Sequence, residues 1–108
     1  MIPNTIFGQA TQLDLVFEEQ DDIDGILGLA FQSLAVDNVV PPLVNAINQG
    51  ILDQPIFTVY LTEDGAVDNQ PGGVFTYGGL DEKHCDRQIN YQMLSSATFF
   101  QFSMSNIQ

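Results

Sequence analysis

The sequence predicts a mainly β chain with one short α-helix near 41–49. Three observations carry this. Apolar and polar residues alternate over short runs; β-branched and aromatic residues concentrate in those runs; and a single stretch spaces its apolar residues as a helix does. At 108 residues, one domain or part of one is expected.

Taken in order, Ile6 to Ala10 and Leu13 to Phe17 read as strands on either side of the polar Thr11-Gln12. Leu13, Leu15 and Phe17 share one face, which the alternation predicts to be buried. Gly25 and Gly28 then interrupt the apolar run around Ile26-Leu27 and Leu29-Ala30-Phe31. Glycine weakens a strand, so a bend or a close backbone approach is expected there. In the helix, Pro41-Pro42 occupy the start, where a missing N–H costs least. Leu43, Val44 and Ile47 make its apolar stripe, and Gly50 fits the left-handed residue that ends it.

Ile56 to Leu61 is the strongest strand, with Phe57, Val59 and Leu61 on one face. Gly73 to Tyr77 is another, introduced by Pro71-Gly72. The polar stretch Thr62 to Gln70, with Asp64-Gly65 and Asp68-Asn69, joins the two as a hairpin with a long loop. Gly78-Gly79 marks a tight turn, and Ile89 to Leu94 and Thr98 to Met104 complete the strand set.

Charge narrows the function classes. Fourteen acidic residues face two basic ones, Lys83 and Arg87, for a formal charge of −12. Such a surface repels phosphate backbones and anionic membranes, so no nucleic-acid partner is expected. No apolar run approaches the ~20 residues of a membrane span. The carboxylates begin to protonate toward pH ~4, which suits an acidic compartment as well as it suits plain solubility.

Candidate metal and thiol sites fail on ligand count. Glu18 to Gly25 invites a calcium loop, but registered on Gly25 the acidic positions fall on Gln20 and Phe31. His84 and Cys85 are the only histidine and the only cysteine, too few for zinc. As sequence neighbours they seldom face each other as a nucleophilic pair. They are expected in an exposed turn, and no metal or cofactor is implied. Cys85 is open to a partner cysteine outside this chain, to remaining free, or to burial as a structural thiol.

The order of several motifs carries a family resemblance. Phe7-Gly8-Gln9-Ala10 comes first. Ile23-Asp24-Gly25-Ile26-Leu27-Gly28-Leu29-Ala30-Phe31 follows, then the helix ending in Asn48-Gln49-Gly50 and the strand Phe57-Thr58-Val59-Tyr60-Leu61. Gly72 to Asp81, containing Gly78-Gly79-Leu80-Asp81, and Thr98-Phe99-Phe100-Gln101-Phe102 close the series. This succession resembles the pepsin-like (A1) aspartic proteases, above all their nematode members, over essentially the whole chain.

The resemblance implies part of the pepsin-like acid protease fold: the later amino-terminal lobe plus inter-lobe strands, an incomplete domain over 1–108. It implies a segment of an aspartic endopeptidase that hydrolyses peptide bonds in a peptide or protein substrate. A secreted, lysosomal or other acidic-lumen location goes with it. The family's two catalytic aspartates lie in Asp-Thr-Gly or Asp-Ser-Gly loops, where close carboxylates share a proton. Asp24-Gly25 and Asp64-Gly65 lack the intervening residue, so this chain alone is expected to be inactive. By position, Ile26, Phe17 and Ile23 match residues lining the apolar substrate pockets, with core packing as the competing role. Asp21-Asp22 depart from the family's apolar or small residues and predict a wall unfavourable to acidic substrates. The alternative is a catalytically silent pepsin-like binding protein or a truncated product. Open strand edges predict association with a second copy.

Overall fold

The computed structural model describes residues 1–18, 24–63 and 70–106. It divides into two compact units, one of residues 46–93 and one of residues 1–45 with 94–108. The described elements are a single-turn helix α1 (Leu15–Glu18), two 3-10 turns (Gln32–Leu34 and Val36–Asn38), helix α2 (Pro42–Asn48) and strands β1 (Phe57–Leu61) and β2 (Gly73–Tyr77).

The helix forms where the sequence places it. The Asn45 N–H donates to the Pro41 carbonyl at 2.9 Å, so the two prolines sit where no intrahelical donor is needed. Gly50 adopts φ 65°. Its N–H donates to Ile47 O and the Ile51 N–H to Ala46 O, both at 3.0 Å. This pair of bonds satisfies the carbonyls that a helix end would leave orphaned, as in the Schellman motif. Ala46, on this helix, is the sole buried hydrophobic residue among the described ones.

β1 and β2 pair antiparallel, with Phe57 opposite Tyr77 and Leu61 opposite Gly73. Bonds from Gly78 N to Ile56 O (2.8 Å) and from Thr62 N to Gly72 O (3.0 Å) extend the ladder at both ends. Two glycines make this closure possible. A Cβ on Gly73 would collide with the Tyr60 carbonyl, and Gly78 combines φ 78° with the Leu52 side chain 3.2 Å from where its Cβ would lie. The face carrying Val59, Leu61, Phe75 and Tyr77 is exposed. Phe57, on the same face, is half-buried.

Other strand expectations are corrected. Leu15 to Phe17 lie in α1, where the Phe17 N–H donates to Asp14 O at 2.9 Å. Leu13 and Leu15 are exposed, as is Phe17. Ile6 to Ala10, Ile89 to Leu94 and Thr98 to Met104 form no strand among the described residues. Alternation alone does not make a strand, since a ladder needs a second backbone within reach. At Gly25 and Gly28 nothing lies within 4 Å of a built Cβ, which removes close approach as the reason for these glycines within the described structure.

Side-chain and main-chain bonds organise the unit of residues 1–45 and 94–108. Asn45 Nδ2 donates to Pro3 O and Thr5 Oγ1, each at 3.2 Å. Phe31 N donates to Thr98 O (3.0 Å) and Ser33 Oγ to Ala97 O (2.7 Å). The rings of Phe31 and Phe100 meet at 5.0 Å.

Candidate functional site

Of the residues expected to line a substrate pocket, the structure describes two. Ile26 lies in a stretch without regular secondary structure, with 81% of its surface exposed, and Phe17 lies on α1 with 40% exposed. Ile23 falls outside the described residues. Neither side chain is part of the buried core among the described residues. Asp24, two residues before Ile26, is exposed.

In the same unit a small apolar pocket of about 220 Å³ is lined by Ile6, Ala30, Phe31, Leu34, Val39 and Pro41, among others. It lies next to the Gly28-Leu29-Ala30-Phe31 end of the signature and is formed by backbone turns. Gln32 Nε2 donates to Asn38 O at 2.8 Å across them. Asp37 and Asn38 both take φ 53°, a conformation that short polar side chains tolerate.

The unit of residues 46–93 holds a groove of about 810 Å³. One wall is Ile56 to Val59 at the start of β1, and the other is Leu80 to Asp86 running on to Tyr91. Thr58 Oγ1, on the first wall, is buried and has no hydrogen-bond partner among the described residues. Cys85, on the second, is exposed and unpaired, which excludes the buried-thiol alternative and leaves a free thiol or a partner outside this chain.

The second wall is ordered by Asp81, which sequence reasoning did not single out for this role. Asp81 is 8% exposed. Its Oδ1 accepts the N–H groups of Lys83 (3.1 Å) and His84 (3.2 Å), and its Oδ2 lies 2.7 Å from His84 Nδ1. Its carbonyl accepts the Cys85 N–H at 3.0 Å. The His84 ring stacks on Tyr60 of β1 at 4.1 Å and 12°. The bond to His84, helped by the two backbone donors and opposed by partial desolvation, holds the Asp81 carboxyl below its usual range. The available signal was an aspartate just past Gly78-Gly79 with its partner three residues on, the spacing of an Asx-type turn. His84 is thus half-buried and held, where the sequence predicted an open turn.

No described group of three or more His, Cys, Asp or Glu residues is placed to hold a metal ion. No described helix is long and apolar enough to cross a membrane.

The chain matches the family model "Eukaryotic aspartyl protease" over residues 1–108. It is 56% identical to aspartic protease 6 of Caenorhabditis elegans over 107 residues, covering 99% of this chain and 27% of that protein. It is 47% identical to aspartic protease 2 of Necator americanus, covering 99% and 25%. With the vacuolar aspartic protease of Candida albicans it shares 35%, again covering 99% and 25%. The chain therefore spans about a quarter of the length of these relatives.

Proposed function

This chain belongs to the eukaryotic aspartyl protease family, and from that premise we propose that it forms one wall of the substrate cleft of an aspartic endopeptidase. On this reading it is catalytically silent by itself. The observation that carries the proposal is Ile26, inside the Asp24-Gly25-Ile26-Leu27-Gly28-Leu29 signature and 81% exposed. An isoleucine so placed favours hydrophobic substrate side chains, because burying one is worth about 1.5–3 kcal/mol. Phe17 and Ile23 contribute to the same wall. The silence follows from chemistry: hydrolysis by this family needs two aspartates sharing a proton, and neither Asp24-Gly25 nor Asp64-Gly65 has the Asp-Thr/Ser-Gly form.

The compartment follows with less reach. The Candida albicans relative is named for the vacuole, and a charge of −12 is best tolerated where carboxylates are partly protonated. A secreted or acidic-lumen location is the reading these support. The exposed apolar face of β1 and β2 is read as surface that the rest of the enzyme covers. In the isolated chain, a second copy takes that place.

The test is an assay on an unfolded protein substrate across acidic pH. The isolated chain is expected to release no peptides, and cleavage by it would overturn the silence. In the intact parent enzyme, Ile26→Asp is expected to lower kcat/KM for hydrophobic peptides about tenfold or more, with its melting temperature unchanged. An unchanged kcat/KM would remove Ile26 from the cleft. A parent without proteolytic activity would leave a binding protein as the correct reading.

A further inference from the structure

We propose that Asp81, His84 and Tyr60 form a latch that ties the two walls of the 810 Å³ groove together and stays closed as the pH falls to about 4. The latch stands on geometry and is independent of the proteolytic reading. Tyr60 belongs to β1, whose neighbouring residues Ile56 to Val59 line one wall; His84 lies within the Leu80 to Tyr91 segment that lines the other. The ring stack spans from strand to turn at 4.1 Å. The 2.7 Å bond to Asp81 and the three main-chain bonds around it fix the ring's bearing on the turn. Without Asp81, His84 loses the anchor that holds its ring against Tyr60.

The pH behaviour follows from which group must titrate to open the latch. Neutral or protonated, an imidazole can donate its Nδ1–H to an ionised carboxylate, so the bond does not require one particular charge on His84. The carboxylate is the sensitive partner. Its pKa in the folded protein is depressed, first by the bond to His84. A depressed carboxyl gives stability that is complete above the unfolded value of about 3.9 and is lost as pH falls through the folded value. The latch is therefore closed from neutral pH down to about 4 and opens below. Around it, β1 offers Tyr60 as its one titratable side chain and β2 offers Tyr77; the turn itself carries Glu82, Lys83, Cys85, Asp86 and Arg87. Lys83 and Arg87 are the only lysine and arginine of the chain, so the latch also fixes the segment that bears its permanent cations.

The chain contains a single histidine, so a histidine-labelled sample gives one set of ring signals. Through-space contacts between the His84 and Tyr60 rings, followed by NMR on the full chain, test the latch directly. They are expected from neutral pH down to about 4, and to vanish below it. Asp81→Ala is expected to abolish them at every pH. Asp81→Asn, neutral at every pH as the protonated carboxyl is, is expected to lack the contacts already at neutral pH and to show no step near pH 4. The inference is overturned if the wild-type contacts are missing at pH 5 or disappear well above pH 4. Survival of the contacts in Asp81→Ala also overturns it. The wild-type titration decides the matter even if a variant fails to fold.

Discussion

The two units solve their backbone problem differently. In residues 46–93 the chain satisfies itself: β1 and β2 pair over five residue pairs, the helix end closes on Gly50, and Asp81 gathers the turn that follows. In residues 1–45 and 94–108 the described long-range contacts are a few bonds without a strand ladder, such as Asn45 to Pro3 and Ser33 to Ala97. There the apolar residues Ile6, Phe7, Ile26, Leu27, Phe99 and Phe102 are exposed. The first region holds its shape through local pairing. The second displays apolar side chains that no described residue covers. Even in the first region closure is one-sided, because the sheet's Val59–Phe75 face is bare.

The largest effect that would break this contrast is at Gly73. A Cβ there would strike the Tyr60 carbonyl, a backbone atom that cannot move without opening the ladder. Gly73→Ala is expected to cost about 2 kcal/mol or more. It should show as fast amide exchange at Thr62, whose N–H donates to Gly72 O, and along β1. Protection equal to wild type would mean the hairpin is not the self-sufficient part of the molecule.

That contrast also explains what was legible in the sequence. Pro41-Pro42 and Gly50 bound a helix because each acts within one turn of itself, and α2 (Pro42–Asn48) lies inside the expected 41–49. The runs around Phe57 and Val74 gave the hairpin because each is the other's partner, and β2 matches its expected bounds. The alternation of Leu13, Leu15 and Phe17 carried the same signal and misled, because the Asp14 carbonyl found the Phe17 N–H at 2.9 Å instead of a neighbouring strand. Ile89 to Leu94 forms no strand among the described residues, because alternation without a paired backbone makes none. For the site, motif order gave the family but not the contacts of Asp81. Its bond to His84 depends on a local turn, and the stack of His84 on Tyr60 joins residues 24 apart in sequence.

The bare sheet face gives a second, smaller effect. If Val59, Leu61, Phe75 and Tyr77 are surface awaiting cover, the isolated chain is expected to self-associate, seen as a concentration-dependent mass in sedimentation. Leu61, 68% exposed, is the side chain to change. Leu61→Lys is expected to weaken the association by about 1.5 kcal/mol, roughly tenfold. A monomer at all concentrations would show that the face needs no partner, and would sharpen the comparison by leaving residues 1–45 and 94–108 as the unit that displays apolar residues for cover.

The smallest effect is expected where the open unit comes nearest to closing on itself. Ser95 N and Ser95 Oγ both donate to Gln101 O, at 3.0 and 3.4 Å, and Gln101 Nε2 returns a 2.8 Å bond to Ser95 Oγ. These bonds are exposed to water, which replaces them at little cost. Gln101→Ala removes only the side-chain donor and leaves the main-chain bond in place. It is therefore expected to cost about 0.5 kcal/mol, the low end for a hydrogen bond, measured as a shift in urea midpoint with an unchanged slope. A loss several times larger would make the 95–101 loop a cooperative part of its unit. It would then hold Phe31 and Phe100 together rather than merely lie beside them, and the contrast between the two units would be one of degree.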